Sequence, residues 1–239
     1  MKIAIIGYGR MGHEIEKMAR ERNHKIAVVV DENNCGEFTP QMLSEVDVAI
    51  EFSTPNSAPV NILTCFRAGV PVVCGTTGWQ DKMEAIKDEC IRHDGTFFYT
   101  SNFSIGVNLL FSLNRILARL MNNYPDYEPR IEEIHHIHKL DSPSGTAITL
   151  ADDILRNLER KTEWVQGEHG EPAQLPVKSV REGEVPGIHR VTWESDGDIL
   201  ELYHSAKNRR GFALGAVLAA EFVQQRKGVL GMNDLLGLR

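Results

Sequence analysis

The stretch EIHHIHKLDSPSGTA at 133–147 puts three histidines and a lysine within five positions, His135, His136, His138 and Lys139, just before a helix start. Such a set could bind a metal, hold an anion or move protons. If the strand that carries it runs on through Lys139, His136 and His138 share one face and His135 and Lys139 the other. Two histidines at i, i+2 could chelate zinc, but a tetrahedral site needs further ligands, and no cysteine cluster or second histidine motif accompanies them. A lysine alongside also disfavours a dication, so no metal is expected. In SPSGTA, Pro143 keeps its predecessor extended, Ser144 can cap, Gly145 lets a ligand come close, and Thr146 begins the helix. The free N–H groups of that helix start suit a carboxylate or phosphate. Histidines that titrate near neutrality, with a lysine at the mouth, join anion binding to proton transfer. The plainer alternative is a capped surface helix after a solvated strand.

A second constellation lies at the N-terminus. IAIIGYGRMGHEI sets Gly7, Gly9 and Gly12 after a strand-like run and at the opening of a helix. The first glycine permits a tight turn, the second lets a pyrophosphate approach the backbone, and the third allows close helix–strand packing. Asp31 closes the second strand, where an acid would take ribose hydroxyls. It is followed by Glu32, Asn33 and Asn34 with no adjacent arginine. A 2′-phosphate would face two carboxylates there, so NADH is expected over NADPH, which stays open as the alternative. CGTTGW at 74–79 and TSNFSIG at 100–106 also fall at strand ends, where open α/β sheets bind ligands, and could reach the nicotinamide end.

These groups need a frame. KIAIIG, KIAVVV, DVAIEF, VPVVCG and TFFYT read as strands, with amphipathic segments at 10–22, 56–68 and 80–93 between several of them, which predicts a parallel sheet. After residue 100 the pattern changes. It predicts a helix over 106–122, a strand through PRIEEIHHIHK, a helix over 145–160, a loop through RKTEWVQGEHGEPAQLP, and strands in VKSVREG, HRVTWES and DILELYHSA. SDGD at 195–198 reads as a hairpin turn between the last two, and a helix near 211–226 precedes a short tail. The fold class is therefore α/β, a Rossmann-like parallel sheet followed by an α+β half, with a boundary near 102. At 239 residues, 42% hydrophobic and 25% charged, the chain has ordinary globular composition. No apolar run is long enough to span a bilayer, and no signal peptide is evident, so no membrane partner and a cytoplasmic location are expected. A net charge of −7 speaks against nucleic acid as a partner. Cys35, Cys65, Cys74 and Cys90 show no CxxC spacing and read as reduced thiols.

HHIHKLDSPSGTA resembles the signature of the dihydrodipicolinate reductase family. The likeness extends in order through GYGRMG, CGTTGW, SNFSIGVNLL, SVREGEVPGIHRV and HSAKNRRGFALGAV, and so covers nearly the whole chain. GYGRMG is one residue shorter than the commoner family loop, and Glu32 stands where many members have an arginine. The resemblance implies NAD(P)H-dependent reduction of a cyclic, unsaturated imine dicarboxylate, with loss of water, on the route to diaminopimelate and lysine. By the same likeness His135 is the acid/base and Lys139 the proton donor, His136 binds substrate, and Gly145 and Thr146 hold a carboxylate with Ser144 assisting. Cofactor contacts carry over to Gly7, Tyr8, Gly9, Arg10, Met11, Gly12, Asp31, Gly75, Thr76, Thr77, Thr100, Ser101, Asn102 and Phe103. The last helix is expected to return to the nucleotide domain, giving 1–102 with about 211–239, and 103–210 as the substrate-binding and oligomerisation domain of a homotetramer. One geometric problem follows. Four steps along an ideal strand would separate the His135 and Lys139 backbones by about 13 Å. Two other readings compete. A dinucleotide sensor would lack the proton-transfer set, and a semialdehyde dehydrogenase would want a nucleophilic cysteine in the second half, whereas all four cysteines precede residue 91.

Overall fold

The computed structural model describes residues 1–238 and divides into two units, Met1–Ile105 with the C-terminal stretch from Arg209, and Gly106–Asn208. In the first, the apolar runs form β1 (Lys2–Ile6), β2 (Lys25–Val30), β3 (Val48–Glu51), β4 (Val72–Cys74) and β5 (Thr96–Tyr99). They pair in parallel in the order β2-β1-β3-β4-β5. Parallel neighbours require crossovers, three of which run through α1 (Arg10–Glu21), α2 (Ala58–Arg67) and α3 (Met83–Arg92). Alternation along the strands sorts the core into two layers. Ile3, Ile5, Val48, Ile50 and Phe98 pack with Ile15, Met18 and Ala19 of α1. Ala4, Ile6, Ala49, Val72 and Phe97 pack with Ile62 and Phe66 of α2 and Ile86 of α3. Because β1 has β2 on one side and β3 on the other, the chain changes direction there. A ligand cleft is expected at the carboxyl ends of β1 and β3.

The second unit holds α4 (Ile105–Met121), β6 (Glu128–His135), α5 (Gly145–Asn157), β7 (Glu163–Gln166), β8 (Gln174–Arg181), β9 (Ile188–Glu194) and β10 (Ile199–Ser205). Its sheet runs β10-β9-β6-β8-β7, with β6, β8 and β7 parallel and β9 and β10 antiparallel. Ile131, Leu175, Val177, Val191 and Trp193 on one face are covered by Leu110 and Ala118 of α4 and Leu150 and Ile154 of α5. The register sets His135 opposite Arg181 and Glu133 opposite both Ser179 and His189. SDGD does turn β9 into β10, closed by Ser195 N–H donating to Asp198 O at 3.0 Å.

Three expectations need correcting. β6 stops at His135, because Ile137 N–H turns to Gly183 O (3.1 Å) and Lys139 N–H to His136 O (3.1 Å). His136 and His138 therefore share no strand face, and Lys139 is not on the strand row of His135. The segment expected as a loop contains β7, whose EWVQ residues pair with β8 despite the Gly and Pro around them. The tail is also structured. After α6 (Arg210–Phe222), β11 (Gly228–Leu230) adds to β5 as a sixth parallel strand and α7 (Met232–Leu236) follows. Three residues of strand carry too little periodicity to be read alone; pairing with β5 makes them a strand. No helix among the described residues is long and apolar enough to cross a membrane.

Candidate active site

At the carboxyl edge of the first sheet, Gly7 N–H donates to Val30 O (2.8 Å) and Phe52 N–H to Ile6 O (2.7 Å), which ties the glycine turn to both neighbouring strands. Gly7 has φ +93°, and a Cβ there would lie 2.1 Å from Phe52 O. A Cβ on Gly12 would lie 2.4 Å from Gly7 O, so that glycine serves loop–helix packing. A Cβ on Gly9 would meet nothing within 4 Å, which leaves its backbone open to a ligand. Gly7, Tyr8, Gly9 and Asp31 line one cavity of about 510 Å³, together with Glu32, Asn33, Cys35, Phe52, Ser53, Thr54, Ser57 and Asn61. Asn33 N–H donates to Asp31 Oδ1 at 2.8 Å and so orients the carboxylate. Arg10 and Met11 occupy the first turn of α1. A glycine turn, a helix N-terminus and an acid around an open hollow fit the pyrophosphate and ribose of a dinucleotide.

The other expected cofactor residues lie along the same edge but outside that cavity lining. Gly75, Thr76 and Thr77 follow β4, and Thr100, Ser101, Asn102 and Phe103 follow β5. Four of their side chains are engaged within the fold, Thr100 Oγ1 donating to Asn102 O (3.0 Å) and Asn102 Oδ1 accepting from Ser104 N–H (2.9 Å). Thr76 is buried, donating through Oγ1 to Glu51 (2.7 Å) and accepting from Ser53 N–H (2.9 Å). Phe103 is buried in the core. These two offer a ligand mainly backbone. Fully buried Glu51 also accepts from Ser53 N–H (3.1 Å), Asn61 Nδ2 (3.3 Å) and Cys74 Sγ (3.2 Å), so one carboxylate ties together the loops after β3 and β4. Sequence reasoning passed over Glu51, Ser53, Thr54 and Asn61. The signal was available, since EFSTPN follows a strand just as CGTTGW does.

In the second unit His135 ends β6 and is 8% exposed, its Nδ1–H donating to Glu133 Oε2. Glu133 is fully buried, and its Oε1 accepts from Arg181 Nη1 (3.0 Å) and Ser144 N–H (3.3 Å). Burial alone would raise this carboxyl. The hydrogen bonds, led by that from His135 and joined by Arg181, outweigh burial and hold it at about 2, so it is an anion at physiological pH. The His189 ring stands edge-on to His135 at 5.1 Å between centroids, with Nε2 3.2 Å from Ser144 Oγ. Burial first, then the charges of His135, His204 and Lys139, push His189 down to about 3 and keep it neutral. Gly187, at φ +152°, lies against the far nitrogen of His135, where a Cβ would come within 3.0 Å of Nε2. The far nitrogen is the one left to exchange a proton with a ligand.

Ser144 caps α5 as expected, accepting from Ala147 N–H at 3.2 Å, while Gly145 and Thr146 form the first turn. The turn at 136–139 brings Lys139 back from the end of β6, so the separation expected along a straight strand does not arise. Its ammonium rests on Asp141, 2.8 and 2.9 Å from the two carboxylate oxygens, and its charge acts on His189. His136 is half-buried, whereas His138 is exposed and pairs with exposed Glu184 at 3.0 Å. Ligand atoms of Glu133, His135 and His189 lie within 4.8 Å of one another. Both Glu133 oxygens are already engaged, one by His135 and one by the Arg181 guanidinium, and Lys139 adds a second cation. That donor set suits proton chemistry better than a dication. Glu133, Arg181, Gly187 and His189 were not singled out from sequence: the pairing of β6 with β8 and β9 brings the last three to His135, and Glu133, two residues away on β6 itself, read as an ordinary exposed strand acid.

Two family models match the chain, "Dihydrodipicolinate reductase, N-terminus" over residues 1–103 and "Dihydrodipicolinate reductase, C-terminus" over 106–236. A protein named 4-hydroxy-tetrahydrodipicolinate reductase from Christiangramia forsetii is 47% identical over 240 residues, covering 99% of this chain and 98% of that one. One of the same name from Acinetobacter baumannii is 33% identical over 269 residues, covering 98% and 97%. The solved dipicolinate-bound dihydrodipicolinate reductase from Paenisporosarcina sp. TG-14 shares the fold with a TM-score of 0.79 at 22% identity, covering 97% of each chain. An amine dehydrogenase from Mycobacterium smegmatis shares it more distantly, at 11% identity and a TM-score of 0.60.

Proposed function

Since the chain belongs to the dihydrodipicolinate reductase family and is thereby an NAD(P)H-dependent reductase, we propose that it reduces 4-hydroxy-tetrahydrodipicolinate to tetrahydrodipicolinate, with loss of water, using NADH in preference to NADPH. The observation that carries this reading is the grouping within residues 133–146 of a carboxylate-held histidine, a lysine and the open start of a helix. One segment can thus hold a carboxylate and move a proton. A metabolic reductase of this kind acts in the cytoplasm.

A bound nicotinamide would supply hydride to the substrate ring. The chain's residues do the rest. Gly7, Tyr8, Gly9, Arg10, Met11 and Gly12 would hold the pyrophosphate, and Asp31 would accept from the ribose hydroxyls. Gly75, Thr76 and Thr77 with Thr100, Ser101, Asn102 and Phe103 would border the nicotinamide, Thr76 and Phe103 through backbone. The N–H groups of Gly145 and Thr146 hold one substrate carboxylate, with Ser144 fixing the turn and His136 on the substrate's flank. Loss of the 4-hydroxyl as water leaves a conjugated ring; hydride added to that ring would push an electron pair through it, and the ring must then take up a proton. His135 serves as acid/base through Nε2, and Lys139 donates the proton once a substrate carboxylate draws its ammonium from Asp141.

Two readouts test the ligand assignments. Among the residues lining the cavity around Asp31 none is a lysine or arginine, whereas Asp31 and Glu32 are both acidic. kcat/KM is therefore expected to be higher with NADH than with NADPH, and Asp31→Ala should weaken NADH binding; a clear NADPH preference would overturn this. Thr146→Val keeps the shape at the start of α5 and removes the hydroxyl, so KM for substrate should rise more than kcat falls. Pyridine-2,6-dicarboxylate, a planar dicarboxylate, should compete with substrate; absence of competition at millimolar concentration would reject a dicarboxylate site there.

The homotetramer implied by the family resemblance is retained as part of this proposal. The second sheet supports it with a broad face on which Arg130, Glu132, Lys178, Arg190 and Glu201 border a hollow of about 760 Å³. Light scattering is expected to return four copies, and a monomer at micromolar concentration would contradict that.

A further inference from the structure

We infer that Glu133 is a positioning residue for the proton transfer: it holds the Nδ1 proton of His135, turns Nε2 toward the substrate and stabilises the imidazolium formed in each turnover. The inference rests on the reading of His135 as the acid/base group. Three observations carry it.

The first is geometric. Glu133 and His135 lie two apart on β6, so both point to the same face of the sheet, and the carboxylate reaches Nδ1 directly. With that nitrogen occupied, the ring can exchange protons with a ligand only through Nε2, which lies against Gly187, where any Cβ would come within 3.0 Å of it. A carboxylate on one imidazole nitrogen fixes the tautomer and the ring orientation, a support that proton-transferring histidines depend on.

The second concerns the carboxylate itself. Glu133 has no solvent contact, yet it is not stranded as a lone buried charge. Arg181 from β8 donates to Oε1, and the backbone N–H of Ser144 donates to the same oxygen. Arg181 also donates to Asp141 O at 2.6 Å. One carboxylate therefore connects the acid/base group, the cap of α5 and the segment that carries Lys139. The oxygens divide the work: Oε2 serves His135 and Oε1 serves the scaffold.

The third is charge. The titratable and charged groups around His135 and its partners are Glu133 on β6, Arg181 on β8, His189 on β9, His204 on β10, and Lys139 with Asp141 in the following turn. His189 is neutral, Lys139 is paired with Asp141, and Arg181 is turned onto Glu133. Of the groups in direct contact with the ring, Glu133 alone is an anion.

The test is the pH dependence of kcat in Glu133→Gln and Glu133→Asp, beside the parent and His135→Gln. Glutamine keeps the size of the side chain and removes the charge. It is expected to lower kcat roughly 10²-fold, within the usual range for impaired acid–base catalysis. It should also move the alkaline limb of the profile to lower pH by about one unit or more, the usual effect of losing an adjacent opposite charge. NADH affinity, read by fluorescence titration, should be unchanged. Aspartate keeps the charge and should restore the position of that limb. If Glu133→Gln lowers thermal stability but leaves the limb and kcat in place, Glu133 is only structural and the inference is overturned. If the variant does not fold, histidine nitrogen NMR of the parent decides. A persistent Nδ1 proton on His135, with Nε2 the nitrogen that titrates, supports the inference, and a titrating Nδ1 overturns it. An inactive His135→Gln beside a normal Glu133→Gln defeats this inference alone, whereas an active His135→Gln defeats the underlying reading.

Discussion

Replacing His135 with glutamine should lower kcat by roughly 10²–10⁴-fold, the usual worth of a positioned acid–base group, while NADH binding stays near that of the parent. Glutamine preserves hydrogen bonding at the end of β6 but cannot change protonation state near neutral pH. The cofactor effect should be small because the glycine turn and Asp31 lie in the other unit of the chain. Lys139→Ala is expected to act on both constants, lowering kcat and raising KM, since in the proposed reading the ammonium would both donate a proton and meet a carboxylate. His138→Ala is the matched control: an exposed histidine paired with an exposed glutamate has little to lose. Steady-state kinetics of the three variants beside NADH titrations check the set. A crippled His138→Ala with a near-normal His135→Gln would contradict it.

The second large effect is expected from Gly7→Ala. The added methyl would sit 2.1 Å from Phe52 O and the backbone would be held at φ +93°, so either the glycine turn or the end of β3 must move. Strain of that kind costs about 1–3 kcal/mol. The displaced turn would also lose its aim at the pyrophosphate, and two charge-assisted hydrogen bonds at about 1.5 kcal/mol or more each imply roughly 10²-fold weaker NADH binding. Gly9→Ala separates the two consequences. Its φ of −85° suits any residue and nothing lies within 4 Å of the new methyl, so folding should be normal and only the approach of the ligand should suffer. Thermal midpoints and NADH titrations of both variants decide. Equal midpoints for Gly7→Ala and the parent would show that the turn is more pliant than its packing implies.

What could be read in advance follows how local each signal is. The glycine turn, the strands β1 to β5 and the cap of α5 are encoded within a few residues, by alternation, by glycine spacing and by a serine two residues before Thr146. The histidine–lysine cluster at 135–139 and the Ser144 cap stood out on the same terms, while separate roles for His135 and Lys139 came only from the family resemblance. The end of β6 was not, because HIHK contains no glycine or proline and the strand is stopped by a bond from Ile137 to Gly183, 46 positions away. The same holds for Arg181 and His189. Nothing near them in sequence points to His135; the pairing of β6 with β8 and β9 places them there. Glu133 was hidden differently, as one of two adjacent acids in a strand, where solvent exposure is the ordinary expectation and full burial is known only from the folded chain. β7 and β11 depend on neighbours in the same way, and β11 is only three residues long.

The most direct test of the central claim is the absorbance of NADH when the purified protein is given freshly formed 4-hydroxy-tetrahydrodipicolinate, made in place by the enzyme that condenses pyruvate with aspartate semialdehyde. NADH should be consumed in proportion to the substrate supplied, and His135→Gln should bind NADH equally well while oxidising it roughly 10²-fold or more slowly. Tight NADH binding with no consumption by the parent protein would contradict the account and leave a dinucleotide-binding protein without this chemistry.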